Sequence, residues 1–362
     1  MRTGIRSAAR LGSRDGYARG WSDGYRLGSC QSIASRLPLP ELPRRAVKVM
    51  FVREDSPGYH LIESGIMAAL ARSARELVTV TTRDPLVSIA AAERPDLMLV
   101  MNGIFILKPD VLEQIRAMGV RTAAWFADDP YFPHLTIPLV RHFDHVFTHE
   151  AGIVDYYRSL GANAHYLPFA APLARAFPQR PEFARWSDVC FIGTGYPNRI
   201  AFFDRLAPYL KTRKIFIAGA LWNQLRSYAE LRHAIRLEGV QVDEAVNYYN
   251  GAKIVINLHR QPDLTSIPSG VSAMSVNPRT FEINACATLQ LTDIRSDLAS
   301  LYEPGSSIET YATPEECIEK IDYYLRHEED RLRVALGGYE ATRRAHAYEH
   351  RIAVLLETVF GP

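Results

Sequence analysis

Residues 275–293 read Ser-Val-Asn-Pro-Arg-Thr-Phe-Glu-Ile-Asn-Ala-Cys-Ala-Thr-Leu-Gln-Leu-Thr-Asp. Arg279 and Glu282 stand three apart, the spacing that puts two side chains on one helical face. Asn277 suits a helix N-cap, and Pro278 suits the first helical position, where a missing N–H costs nothing. A helix start offers unpaired N–H groups, and a guanidinium beside it makes a seat for phosphate. A carboxylate one turn further in repels phosphate but accepts hydrogen bonds from paired hydroxyls such as a ribose diol. Asn277, Arg279 and Glu282 together suggest a nucleotide-diphosphate site. On spacing alone, an exposed Arg–Glu pair on an ordinary helix is the more economical reading.

Three other groups have chemistry to offer. Gly193-Thr-Gly195-Tyr-Pro-Asn-Arg199 follows an apolar strand-like run, so backbone N–H groups can approach an anion there and Arg199 can neutralise it. A plain tight turn accounts for two glycines equally well. Asp128 and Asp129 fall where another apolar run ends, and adjacent acids there suit sugar hydroxyls or a general base raised in pKa by its neighbour. One of them can instead cap the following turn. His259 and Arg260 end a third run, where His259 is placed to orient a phosphate or hydroxyl, or simply to satisfy a polar neighbour. The loops at 53–55 and 102–103 are weaker candidates for an acceptor. His346 and His350 are spaced for one metal on a helix face, but no third ligand is evident, and a surface or interdomain role is the simpler reading.

The elements that must position these groups are legible in outline. Short apolar strands are expected at 47–52, 77–81, 97–101, 122–126, 145–148 and 164–167, with helices such as 60–71, 109–118 and 152–159 between them. A proline-rich crossing at 167–181 ends this half, and the pattern restarts with strands at 188–192, 214–217, 253–258, 288–291 and 308–311. Thr313-Pro-Glu-Glu316 is a capping box with proline at the first helical position. Strands alternating with helices mean parallel sheets covered on both faces, with ligands at the carboxyl ends of the strands. The loop 261–276, rich in Ser, Pro and Gly, leads straight into Asn277 and is a candidate to close over a ligand.

With 362 residues, two domains of ordinary size are expected. A composition of 47% hydrophobic and 23% charged residues is globular, and no apolar run approaches the roughly 20 residues of a membrane span. The net charge of +2 is too small to suggest nucleic-acid binding, although residues 1–46 hold nine arginines against three acids. Cys30, Cys190, Cys286 and Cys317 match no metal spacing, and a reduced, cytoplasmic setting is the simplest reading. The first thirty residues repeat with period four: Gly4, Ala8, Gly12, Gly16, Gly20, Gly24 and Gly28, with Tyr17, Trp21 and Tyr25 beside them and Arg2, Arg6, Arg10 and Arg14 before. Such a segment is either a helical arm for docking or self-association, giving a homo-oligomer, or a disordered basic terminus.

Asn-Pro-Arg-Thr-Phe-Glu-Ile-Asn-Ala-Cys-Ala at 277–287, Trp-Phe-x-Asp-Asp-Pro-Tyr at 125–131 and Phe-Ile-Gly-Thr-Gly-Tyr-Pro-Asn-Arg at 191–199 resemble the CgeB-like spore-maturation glycosyltransferases. The resemblance covers most of residues 47–360 and implies the GT-B architecture: α/β, with two Rossmann-like parallel-sheet domains facing a central cleft. The expected divisions are 1–46 (arm, helical or disordered, and linker), 47–172 (acceptor side), 173–345 (nucleotide-sugar side) and 346–362 (a helix returning to the first domain). It further implies a transferase that uses a nucleotide sugar, UDP-sugar above others, without metal or other cofactor, towards a glycan or protein acceptor, in the cytoplasm or at the spore surface. By this resemblance Glu282 takes the donor ribose and Arg199 the diphosphate. A non-catalytic spore assembly protein and a sugar-nucleotide epimerase remain as alternatives. The chain departs from the GT-B pattern twice. Met274 stands where a second Glu is common, and Ala287 where Gly is usual.

Overall fold

The computed structural model describes every residue except Met1, Asp263, Leu264 and Ser266; the side chains of residues 2–12 and of Arg14, Asp15, Ala18, Arg19 and Val242 also lie outside the described set. The first sheet is built from β1 (Arg45–Arg53), β2 (Ala74–Thr81), β3 (Leu97–Met101), β4 (Arg121–Phe126), β5 (His145–Thr148) and β6 (Ala164–Tyr166). Its order is β2-β1-β3-β4-β5-β6, all parallel. The second is built from β7 (Ser187–Ile192), β8 (Ile215–Ala218), β9 (Ile235–Arg236), β10 (Ala252–Asn257), β11 (Leu289–Asp293) and β12 (Glu309–Tyr311). Its order is β12-β11-β10-β7-β8-β9, again all parallel. The expected GT-B architecture is borne out.

The central strands are apolar on both faces because helices cover both. All five residues of β3 are buried, as are five of the six in β4. The two-residue β9 carried no pattern to read, and the helix Val242–Gly251 was likewise not singled out in the sequence. The capping box forms with a shift: the Thr313 hydroxyl accepts from the Glu316 N–H, while Glu316 accepts from the N–H of Ala312.

The last helix, Tyr348–Phe360, packs against His60–Ser73 of the first domain. Arg351 donates to the carbonyls of Pro168 and Phe169, and Glu349 pairs with Arg72. The Tyr348 ring fills the space above Gly65, 2.2 Å from where a Cβ would stand. Gly65→Ala is therefore expected to push this helix off its seat and cost about 1–3 kcal/mol, read as a lower melting midpoint.

The N-terminal segment is a helix, Arg2–Arg36, so the helical alternative holds. Its second half lies against the second domain through Arg26, which is buried and donates to the carbonyls of Cys286 (2.8 Å) and Gln179 (3.0 Å). Cys30 and Ile33 pack with Ala287 and Tyr339. All four cysteines are buried free thiols.

Candidate active site

Both sheets turn their carboxyl ends to one cleft of about 340 Å³, lined from the first domain by Tyr59, Asp128 and Tyr131 and from the second by Thr194, Arg199, Arg279 and Glu282, among others. Its deepest feature is a pair of guanidiniums. Arg199 is 3% exposed and donates to the carbonyls of Leu258 and Thr194, each at 2.9 Å. Arg279 stands beside it. A Cβ on Gly193 would lie 3.1 Å from Arg199 Nη1 and 3.5 Å from Arg279 Cζ, so the two cations converge on this glycine. Among the described residues neither pairs with a carboxylate. Burial, then the charge of Arg279, pull the Arg199 pKa down to about 9. Two adjacent guanidiniums without counter-ions form a site organised for a multiply charged anion.

The turn holding Gly193 is fixed from behind. Trp222 donates its indole N–H to the Gly193 carbonyl at 2.7 Å, and that carbonyl occupies the space where Gly219 would carry a Cβ. Gly195 is crowded by Ile200 and Trp222. Its role is packing, and only Gly193 touches the anion seat.

Glu282 lies one turn beyond Arg279, with no hydrogen-bond partner among the described residues. Burial pushes its pKa up to about 7, against the pull of Arg279. A buried, unpartnered carboxylate on a cleft wall suits hydroxyl donors from a ligand. Arg279–Ala285 spans only seven residues, so the positive character of this cleft wall comes from the guanidiniums more than from a helix dipole. Asn277 does cap it: its Oδ1 accepts from the Thr280 N–H at 3.2 Å, and its Nδ2 donates to Asn257 at 2.9 Å. The Asn277 side chain thus holds the turn and is not free for a ligand. Ala287 follows with φ +52, the left-handed conformation that glycine adopts without strain. The usual glycine is missing, but its backbone geometry is kept.

Two sequence candidates are placed differently from expectation. His259 is buried, with both ring nitrogens engaged. Nδ1–H donates to Asp293 Oδ1 at 2.5 Å, and Nε2 accepts from the Asn277 N–H at 2.8 Å. Burial keeps its pKa below the usual value although Asp293 pulls the other way, so it is a neutral positioning group and no nitrogen remains for catalysis. Asp129 is fully buried, accepting from Thr148 and Tyr157 at 2.7 Å each, with its pKa pushed up to about 6 by burial. It braces the core behind the cleft. Both acids lie in the bend and turn that follow β4, and only one of them lines the cleft.

That acid is Asp128. Its Oδ2 accepts from the Tyr59 hydroxyl and from Asn102 Nδ2 at 2.8 Å, and Oδ1 has no partner among the described residues. Arg260 reaches across the cleft, its guanidinium 4.7 Å from the ring of Tyr131 and 4.4 Å from that of Tyr196. Tyr59 and Tyr249 gave no sequence signal, since a lone tyrosine is usually core or surface. The loop before Asn277 is tied to the first domain, because Glu150 accepts from the N–H groups of Met274 and Ser275. His346 bonds the Leu301 carbonyl and Arg351, a structural role. Among the described residues, ligating atoms of Asp55, His60 and Glu63 come within 4.8 Å of one another, but Arg53 already pairs with Asp55.

Residues 199–357 match the model of a family described as glycosyl transferase-like. The chain is 28% identical over 270 residues to spore protein CgeB of Bacillus subtilis (strain 168), covering 73% of this chain and 83% of that protein. In fold it is similar to Anabaena HepE, solved with UDP, at TM-score 0.59 and 12% identity, over 86% of this chain and 100% of that one. It is also similar to sucrose-phosphate synthase of Thermosynechococcus elongatus, at TM-score 0.58 and 12% identity, over 87% and 98%.

Proposed function

We propose, from its similarity to spore protein CgeB and its match to a glycosyl transferase-like family, that this chain takes a sugar from a nucleotide diphosphate, uridine diphosphate first among candidates, and passes it to a glycan or protein hydroxyl. The observation that carries this reading is the Arg199–Arg279 pair over Gly193, with Glu282 one turn away. The guanidiniums hold the diphosphate, and Glu282 accepts from the ribose 2′- and 3′-hydroxyls. HepE, with the same fold, was solved with UDP, which supports a uridine donor.

In the transfer, the bond from the sugar C1 to the diphosphate oxygen breaks, and the acceptor oxygen bonds to C1. Negative charge grows on the leaving diphosphate, where two preorganised cations stabilise it without reorganisation. They supply the charge that a divalent ion would otherwise bring, so we read the enzyme as metal-independent and free of other cofactors. EDTA should leave turnover unchanged. Loss of turnover would turn attention to Asp55, His60 and Glu63. Asp128 faces the reacting centre from the first domain with one open oxygen, placed to receive the acceptor proton or to hold a sugar hydroxyl.

The test is a panel of labelled sugar nucleotides, read for nucleotide release and for an epimerised sugar. Release with transfer supports the proposal. An epimerised sugar makes the chain an epimerase, and binding without either product makes it an assembly protein. Asp128→Asn should leave nucleotide affinity within about twofold but lower turnover about a hundredfold, the scale of a lost general base. An equal loss of nucleotide binding would place Asp128 on the donor. Among the described residues no helix is long and apolar enough to cross a membrane. We place the protein in the cytoplasm with its product at the spore surface, a reading supported by the name of its relative and checked by cell fractionation.

A further inference from the structure

The loop after β3 exposes apolar side chains beside the cleft. Ile104 and Leu107 are buried in the first domain, whereas Phe105 is 56% and Ile106 40% exposed. The loop is built to hold them there. Asn102 has φ +59 and Gly103 φ +72, and a Cβ on Gly103 would lie 2.7 Å from Val100. Asn102 accepts from the Ala127 N–H at 3.2 Å and donates to Asp128, while the Gly103 N–H donates to Glu54 at 2.8 Å. A single exposed apolar residue is ordinary on a protein surface, but Phe105 ends a row. Its ring meets that of Phe132 edge to face at 5.7 Å. The Arg260 guanidinium stands 5.7 Å from Phe132 and 4.4 Å from Tyr196, with Tyr131 at its side at 4.7 Å. Tyr196 in turn lies 5.4 Å from the guanidinium of Arg199. The row thus runs from the anion seat, along the cleft wall of Tyr196, Arg260 and Tyr131, and out to the surface at Phe105.

The chemistry of the row selects its occupant. Aromatic faces pack against the C–H faces of sugar rings, and a guanidinium donates to their hydroxyls. Among the described residues Arg260 is in contact with rings and with no carboxylate, so its N–H groups are committed to no ion pair. A polyanion such as a nucleic acid needs several unopposed cations. This row has one cation outside the anion seat, and Asp128 and Glu54 stand at the foot of its outer loop. A neutral, polyhydroxylated chain suits both the rings and the mixed charge. The separation of neighbouring groups is comparable to that of successive rings in an extended saccharide.

We propose that this row is the acceptor site and that the acceptor is a neutral saccharide chain rather than a protein. Its terminal hydroxyl lies at Asp128, its next rings over Arg260 and Phe132, and its far end on Phe105 and Ile106. That the saccharide is the acceptor rests on the donor reading above. That the row holds a saccharide does not, because Phe105, Ile106 and Phe132 stand outside the nucleotide seat.

The test is binding of the full chain to an array of immobilised neutral and acidic saccharides. Titration calorimetry with UDP, and with the best-retained neutral series from disaccharide to tetrasaccharide, then gives affinities. The parent should retain neutral saccharides, more tightly as the chain lengthens. Phe105→Ala should weaken the tetrasaccharide about tenfold and leave the disaccharide and UDP within about twofold, because only the longer chain reaches position 105. Its melting midpoint should match the parent's, since this ring is exposed. Phe105→Trp should restore tetrasaccharide affinity, and its fluorescence should shift as the tetrasaccharide binds. UDP bound with no neutral saccharide retained overturns the proposal and leaves the donor reading standing. So does a Phe105→Ala chain that binds the tetrasaccharide like the parent, or one that loses disaccharide and tetrasaccharide equally. Saccharide held through Phe105 by a chain that binds no nucleoside diphosphate overturns the donor reading and the acceptor role with it, and keeps the saccharide site. Transfer of labelled sugar to a protein, unchanged by Phe105→Ala, overturns the proposal in favour of a polypeptide acceptor.

Discussion

Arg279→Ala is expected to lower affinity for a nucleoside diphosphate about a hundredfold and to leave affinity for the bare nucleoside nearly unchanged. A hydrogen bond to a charged group contributes roughly 1.5–3 kcal/mol, and a guanidinium can make two to a diphosphate. A loss of about 3 kcal/mol is a factor of about one hundred in Kd. Raised salt should narrow the gap between parent and variant. The stability of the ligand-free variant supplies an independent check. Arg279 helps pull the Arg199 pKa down to about 9, so the two cations repel when the seat is empty. Removing one should leave the melting midpoint unchanged or raise it. A variant that melts early while binding nucleotide like the parent would make Arg279 a structural residue.

Glu282→Gln is expected to separate stability from function in the same way. The Glu282 pKa of about 7 in the fold lies above its ordinary value of 4.5. Below pH 4.5 the group is protonated in folded and unfolded chains alike, and it has no effect. Between pH 4.5 and 7 the unfolded chain releases the proton first, so folding stability falls as pH rises. Above pH 7 the full penalty of about 3 kcal/mol is present. Glutamine removes that penalty, so the variant should melt higher than the parent at pH 8 and equally at pH 4. Nucleotide affinity should move the other way, tenfold to a hundredfold weaker at pH 8. In the parent it should rise from pH 6 to pH 8 as Glu282 ionises. The variant corrects for the titration of the phosphate itself. A variant that is less stable at pH 8, or one that binds nucleotide like the parent, would show that Arg279 and Glu282 are no more than an internal pair.

The structure accounts for both effects with groups that crowd the cleft without neutralising it. Asp293, held below the usual carboxylate range by His259 and Arg295 although burial opposes this, fixes His259, and His259 fixes the backbone of Asn277. Arg295 also donates to the Ala273 carbonyl in the loop before it. The turn that presents Arg279 is thereby held at two points before any ligand arrives, which reduces the ordering cost of binding.

What the sequence by itself determined was the class of fold and the residues at the strand ends. Period-two and apolar runs are local, so 97–101 and 145–148 were read to the residue, and two successive sets of such runs meant two parallel sheets. The placement of Arg199, Arg279, Glu282 and Asp128 after strands was legible for the same reason, because a strand's carboxyl end faces the cleft in this architecture. The tertiary structure alone decided which polar groups were free. Asp128 and Asp129 are adjacent and alike in sequence, and the turn after β4 sends one to the cleft and the other to Thr148 and Tyr157. His259 ended a strand as expected, but Asp293, thirty-four residues away, took its proton-bearing nitrogen. The convergence of Arg199 and Arg279 on Gly193 joins two distant segments through a turn pinned by Trp222. Such pairings depend on side chains brought together by packing, and no local period records them.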